Sequence, residues 1–168
     1  MSFKSGFVTI IGNPNVGKSS LFNAILNFEL SVVTHKSQTT RDSIKGILNT
    51  DNFQIVLSDT PGHVESSYLL HDKMNKNIYS SLEGSDLILY VTDVKEKVVN
   101  QKLIDAVLKL QIPIIYLVNK SDLDKNYKLL KNDFYKDMFL VSSKNKKDIV
   151  KIINNVVKYL PEHLPFYS

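Results

Sequence analysis

Residues 7–20 read FVTIIGNPNVGKSS: an apolar run, a loop of small and polar residues, then the start of a segment with helical period. Gly12-Asn13-Pro14-Asn15-Val16-Gly17-Lys18-Ser19 satisfies G-x-x-x-x-G-K-[ST] at every fixed position. A triphosphate demands these residue types. Glycines let the main chain curl around phosphate oxygens, and successive N–H groups at a helix N-terminus supply positive potential. Lys18 is expected on the β- and γ-phosphates and the Ser19 hydroxyl on Mg²⁺, with Asn13, Pro14, Asn15, Val16, Gly17 and Ser20 completing the cradle. A strand before the loop and a helix after it leave a chance glycine turn as a poor alternative. The stretch predicts a nucleoside triphosphate site on a strand–loop–helix unit.

Working outward, short apolar runs alternate with segments of helical period, the pattern of a mostly parallel sheet covered by helices. Phe7–Ile11 is a strand and Lys18–Asn27 a helix. Ile44–Asn49 and Phe53–Ser58 flank Thr50-Asp51-Asn52 and predict an antiparallel hairpin. A helix is expected over Tyr68–Glu83, a strand at Leu87–Thr92, a helix at Val98–Leu110 and a strand at Ile114–Val118. A short helix near Asn126–Asn132, a strand at Met138–Val141 and a helix over Lys146–Leu160 complete the series. Residues 28–42 and 59–67 are polar and irregular, and loops of that length are usually functional. The expected fold is α/β, a P-loop domain with about six strands, one of them antiparallel, and about five flanking helices.

Composition excludes several classes. At 168 residues, 43% hydrophobic and 23% charged, the chain fits one globular domain and not a disordered polymer. Apolar runs such as Ile112–Val118 fall far short of the ~20 residues of a membrane span. The N-terminus has no signal-peptide pattern, and with no cysteine a disulfide scaffold, a thiolate metal site and a cysteine nucleophile are excluded. A cytoplasmic location is expected, with peripheral attachment at the inner membrane face left open. Residues 1–119 carry 11 Lys/Arg against 11 Asp/Glu, and residues 120–168 carry 10 against 6. The excess of +4 therefore lies in the last third, too weak an asymmetry to indicate nucleic acid by itself.

Asn119-Lys120-Ser121-Asp122 follows the strand Ile114–Val118, where a doubly wound sheet presents its ligand loops. A carboxylate there can accept from both the N1–H and the 2-amino group of guanine, a donor pair adenine lacks. Asp59-Thr60-Pro61-Gly62 ends another strand; Asp59 can hold Mg²⁺ through water and the Gly62 N–H can meet the γ-phosphate. Ser142-Ser143-Lys144 fits a base-contacting loop, although alone it would equally be a helix N-cap.

With these four motifs in order, the chain resembles the G domain of the Era GTPase family, within the translation-factor-class (TrmE-Era-EngA-like) GTPases. The resemblance runs through GFVTIIGNPNVGKSSLFNAIL, VVTHKSQTTRD, DTPG, NKSD, VSS and KYLPEHLPF, and Gln38–Arg41 is its most characteristic element. Der- and MnmE-type domains, which share P-N-x-G-K-S and T-R-D, are the nearest rivals. The resemblance implies a GTP-hydrolysing switch with slow intrinsic turnover, acting in small ribosomal subunit assembly and 16S rRNA maturation and not on DNA. It also implies a switch threonine on Mg²⁺, Thr40 ahead of Thr39, and a salt bridge and not an arginine finger for Arg41. Asn15 corresponds to a residue that coordinates K⁺ in potassium-dependent relatives. His63 departs from the family's usual apolar residue; the sequence D-x-P-G-H, as in elongation factors, makes it a candidate to orient the attacking water beside the Gly62 N–H and Lys18. A nucleotide-gated binding module with negligible hydrolysis is the reading from another class. Residues 1–160 are expected to form the G domain. Residues 161–168 are expected to begin an interdomain linker whose RNA-binding KH domain is absent here, as in a piece of a longer protein.

Overall fold

A computed structural model describes residues 2–28, 44–59, 82–96, 101–129 and 137–167. Six strands form one sheet: β1 (Lys4–Gly12), β2 (Ile44–Asn49), β3 (Phe53–Asp59), β4 (Leu87–Asp93), β5 (Ile114–Asn119) and β6 (Asp137–Leu140), in the order β2-β3-β1-β4-β5-β6. Only β2 runs antiparallel, paired with β3 as the hairpin pattern predicts. Among the described residues the α-helices are α1 (Lys18–Leu26), α2 (Gln101–Lys109) and α3 (Lys146–Tyr159).

Every residue of β4 and β5 is buried, the signature of strands covered on both faces. On one face Val8, Ile10, Leu57, Leu89 and Leu117 pack against Leu21 and Ile25 of α1 and Ile149, Ile152, Ile153 and Val156 of α3. On the other, Ile11, Ile88, Tyr90 and Tyr116 meet Ile104 and Val107 of α2, with the two tyrosine rings stacked at 5.1 Å. Strand order reverses around β1, so a crevice opens at its carboxyl end, where Gly12 begins the glycine loop.

One expected element is corrected. Residues 126–129 are not helical; the segment after β5 is instead a single 3₁₀ turn at Ser121–Leu123. Asp124 accepts from the Asn126 N–H at 3.0 Å, a local turn that competes with helix formation at this point. The expected helix over Tyr68–Glu83, apart from its last two residues, and the irregular stretches 29–43 and 60–67 lie outside the described residues.

The C-terminal end of α3 is tied to the sheet edge. Tyr159 Oη donates to Asp137 Oδ2 at 2.6 Å, and burial together with that carboxylate pushes the phenol up to about 12 from 10.0. A raised folded-state value favours the fold below the unfolded pKa and is lost as pH climbs through the folded one. Stability should therefore decline between pH 10 and about 12, and Tyr159→Phe should flatten that decline in alkaline melting curves.

Beyond Pro161 the chain returns to the body. Ser5 N–H donates to Pro161 O at 3.2 Å, His163 N–H to Phe3 O at 3.1 Å, and Lys4 bridges Glu162 in antiparallel fashion. The β1–β4 pairing starts only at Val8, so the segment occupies the side of Lys4–Gly6 that β4 does not reach. It then crosses to Gln54, 1% exposed, whose Oε1 accepts from the N–H groups of Phe166 (2.8 Å) and Tyr167 (3.1 Å) while Nε2 donates to Tyr167 O (2.8 Å). Phe166 closes on Phe7 at 4.7 Å. Gln54→Ala removes these three bonds and the Nε2 donation to Asn49 Oδ1 at 3.2 Å, which water can partly replace, a cost of about 1–2 kcal/mol. The expected result is a melting midpoint lower by roughly 4 °C and faster amide exchange at Phe166 and Tyr167.

Candidate nucleotide-binding site

The glycine loop holds three left-handed or otherwise glycine-type backbone positions within six residues: Gly12 at φ 153°, Asn15 at 66° and Gly17 at 93°. At Gly12 a Cβ would stand 2.1 Å from the Val91 carbonyl oxygen, and at Gly17 2.3 Å from Asn119 Nδ2, so both fixed glycines of the motif are steric requirements. Asparagine is among the few other residues at ease in the left-handed region, which accounts for Asn15. α1 begins at Lys18 with Gly17 as its N-cap, carrying no capping side chain and no acidic residue in its first turn. Its first N–H groups and its dipole thus face the loop without a competing carboxylate. Lys18 Nζ folds back over the carbonyls of Gly12 and Asn13, the latter at 3.0 Å, while Ser19 and Ser20 are exposed.

Two loops at neighbouring strand ends grip this cradle. Asn119, 1% exposed, donates from Nδ2 to Val16 O at 3.0 Å and accepts from the Ser143 N–H at 3.1 Å. Lys120, itself left-handed at φ 61°, donates to Asn15 O at 2.5 Å and to Asp93 Oδ2 at 2.7 Å. Burial alone would raise the Asp93 carboxyl; the Lys120 ammonium and the N–H groups of Lys95 and Glu96 outweigh it and hold it below the usual range. A half-buried, doubly anchored ion pair of this kind fixes geometry more than it adds stability.

Asp122 stands exposed in the middle of the 3₁₀ turn. Its Oδ1 accepts from Ser142 Oγ at 2.9 Å and its Oδ2 lies 3.6 Å from Lys144 Nζ. The Ser142 hydroxyl is the main cause that holds this carboxyl below its ordinary value; slight desolvation opposes it and Lys144 adds to it. The N-cap of α3 is Asn145, whose side chain accepts from Lys147 N–H, and Ser142 N–H is taken by Asp148 Oδ2. Ser142-Ser143-Lys144 is therefore not the cap of that helix but the wall beside Asp122. The geometry brings together the phosphate cradle and one ionised carboxylate, the polar requirements of a guanine nucleotide.

Residues 7–120 match the family described as 50S ribosome-binding GTPase. The chain belongs to that GTPase family. GTPase Era of Clostridium tetani is 36% identical over 98% of the chain, and GTPase Era of Clostridium kluyveri 39% over the same share. The chain spans 59% of the length of either relative. Among solved structures, Era in complex with MgGDPNP and a 16S ribosomal RNA fragment superposes with a TM-score of 0.71 at 30% identity, covering 99% of this chain and 60% of that one. A variant of Aquifex aeolicus Era bound to GDP and AlF₄⁻ gives the same values. The FeoB G domain of Methanococcus jannaschii, 20% identical with a TM-score of 0.66, shares the fold.

Within this GTPase domain Asn13, Pro14, Asn15, Val16, Gly17, Lys18, Ser19, Ser20, Asn119, Lys120, Asp122, Ser142, Ser143 and Lys144 gather at one edge of the sheet. Asp59 is the last residue of β3, its backbone paired opposite Ile10 and so beside the start of the glycine loop. Thr39, Thr40, Arg41, Gly62 and His63 lie outside the described residues. Sequence reading missed Thr92, Asp93 and Glu96, although a strand ending in Thr92-Asp93 at the carboxyl edge of such a sheet was the signal available. Among the described residues no helix is long and apolar enough to cross a membrane, and no cluster of three His, Asp or Glu side chains could hold a metal unaided. A hydroxyl at Ser19 and a carboxylate at the end of β3 are hard oxygen donors of the kind Mg²⁺ takes together with phosphate and water, so the donor set fits that ion.

Proposed function

We propose that this domain binds GTP with Mg²⁺, hydrolyses it to GDP and phosphate, and works as a switch in small ribosomal subunit assembly and 16S rRNA maturation. The reading is carried by one observation: Asn119 ties the phosphate cradle at Val16 to the Ser143 loop that flanks the Asp122 carboxylate. Asp122 accepts the N1–H and 2-amino hydrogens of guanine, and the Ser142–Lys144 loop, whose Ser143 N–H is taken by Asn119 Oδ1, walls the base. Lys18 and the loop N–H groups neutralise charge on the β- and γ-phosphates as water attacks the γ-phosphorus. A new P–O bond forms while the β–γ bridging bond breaks, and the electron pair leaves with GDP. Ser19 and Thr40, with Asp59 through water, are the residues that would hold Mg²⁺, which screens phosphate charge when bound. His63 orients the water beside the Gly62 N–H, and Asn15 offers a ligand for K⁺, whose charge would stand where other GTPases place an arginine.

The likeness to Era structures holding MgGDPNP and GDP with AlF₄⁻ supports the nucleotide and the ion; the likeness to Era bound to 16S rRNA supports the ribosomal partner. Residues 1–160 are the G domain, and residues 161–168 lead into a linker whose RNA-binding KH domain would leave from the corner where Gln54 holds the tail. Association with a membrane surface is a further partner in this reading. The test pairs calorimetry with GTP and ATP in Mg²⁺ with phosphate release in K⁺ and in Na⁺. Expected are preference for GTP, slow release, faster release in K⁺, and a slower hydrolytic step in His63→Ala at unchanged GTP affinity. Equal affinity for ATP overturns the assignment, and tight GTP binding without release leaves a nucleotide-gated binding module.

A further inference from the structure

We propose that Glu96, which follows β4, is a positioning residue for the phosphate loop and acts through Asn13 on Lys18. The inference rests on the nucleotide reading for its consequence, but its geometry stands without nucleotide. The Glu96 carboxylate takes a hydrogen bond on each oxygen, from Asn13 Nδ2 on Oε1 and from Thr92 Oγ1 on Oε2. An acceptor-only group suits two donors arriving from opposite sides. Glu96 is itself fixed, because its N–H donates to Asp93 Oδ1 at 3.0 Å and to Asp93 O at 3.1 Å, and Asp93 is locked to Lys120. Thr92 and Asp93 are buried at 4% and 7% exposure, so the turn that carries Glu96 is anchored in the sheet.

Asn13 transmits this anchoring. While its side chain is held by Glu96, its carbonyl accepts from Lys18 Nζ at 3.0 Å. The order of contact is Glu96 to the Asn13 amide, then across the Asn13 residue to the lysine that would carry the β- and γ-phosphates. The loop is thereby held at three points, Asn13 by Glu96, Asn15 by Lys120 and Val16 by Asn119. Two of those grips come from the guanine-reading motif. The third comes from the end of β4, and the residue that makes it lies in no recognised motif of this sequence.

Two readouts test this. In nucleotide-free protein, competitive amine labelling reports how tightly Lys18 is held. Glu96→Ala is expected to raise the Lys18 labelling rate about threefold or more, as is Asn13→Ala, and Glu96→Gln, whose oxygen still accepts from Asn13 while its NH₂ donates to Thr92, should recover most of the difference. In single-turnover hydrolysis at saturating GTP, Glu96→Ala should slow the rate roughly tenfold with GDP affinity changed less than about threefold, since a misplaced Lys18 is felt most as charge develops. Combined with Asn13→Ala, the loss should not multiply. Unchanged Lys18 labelling in Glu96→Ala, or labelling equally raised in Glu96→Gln, overturns the proposal. A parent protein that releases no phosphate would instead count against the hydrolytic reading, while the labelling result still decides the role of Glu96.

Discussion

Asp122→Asn is expected to lose guanine nucleotides by about a hundredfold or more and to gain xanthine nucleotides. The two hydrogen bonds from the base end on a charged acceptor, and bonds of that kind contribute about 1.5–3 kcal/mol each. Losing both amounts to about 3 kcal/mol or more, which is two decades in affinity. The change also reverses polarity, since an amide NH₂ would face the N1–H and 2-amino donors of guanine, whereas xanthine presents a carbonyl at position 2. The fold should be indifferent: Asp122 is exposed, and an asparagine oxygen can still accept from Ser142 Oγ, now at 2.9 Å from Asp122 Oδ1. Only the 3.6 Å approach of Lys144 is lost, an exposed pair worth little. Calorimetry with GDP and XDP in Mg²⁺, beside a melting curve, checks both halves. Retained GDP affinity would mean that the carboxylate does not read the base.

That substitution also shows which parts of the site a sequence can disclose. The glycine loop was legible because its chemistry is local: a Cβ at Gly12 would strike the main-chain Val91 O and one at Gly17 the Asn119 side chain at Nδ2, both at positive φ. Strands were legible where burial on both faces leaves an uninterrupted apolar run, as in LILYVT and IIYLV, and the sheet holds six strands with one antiparallel hairpin, as the pattern predicts. The turn at Asn126 was not, because apolar Leu129 and Leu130 imitate helical spacing while a side-chain bond from Asp124 bends the chain out of it. Asp93 and Glu96 were also invisible. Their importance comes from partners 27 and 83 residues away in sequence, Lys120 and Asn13, and nothing in the local pattern TDVKE announces a long-range acceptor. The ordered return of residues 161–167 has the same origin. PEHLPFY reads as a linker, yet Gln54, a polar residue in an apolar strand, is buried by satisfying that segment's main chain.

Asn119→Ala should be the most damaging single change at the site, and its effect should reach beyond the base. The side chain joins the glycine loop to the Ser143 loop: it gives Nδ2 to Val16 O and takes Ser143 N–H on Oδ1 at 1% exposure. Alanine leaves a buried carbonyl and a half-buried N–H unpaired, at about 1–3 kcal/mol each. Against a net stability of about 5–15 kcal/mol that is a large fraction, and the melting midpoint should drop by roughly 8 °C. Nucleotide binding should suffer more than from Asp122→Asn, since the cradle and the base loop lose their common register: GDP and XDP should both be lost, not exchanged. Asn119→Asp separates the two bonds. Its carboxylate still accepts from Ser143 N–H but sets an oxygen against the Val16 carbonyl, so the base-loop tie survives while the cradle is pushed away. It is expected to be at least as harmful as alanine to GDP affinity although it keeps one of the two bonds. If Asn119→Asp instead bound GDP within threefold of the parent, the tie to Val16 would not be what holds the two loops in register.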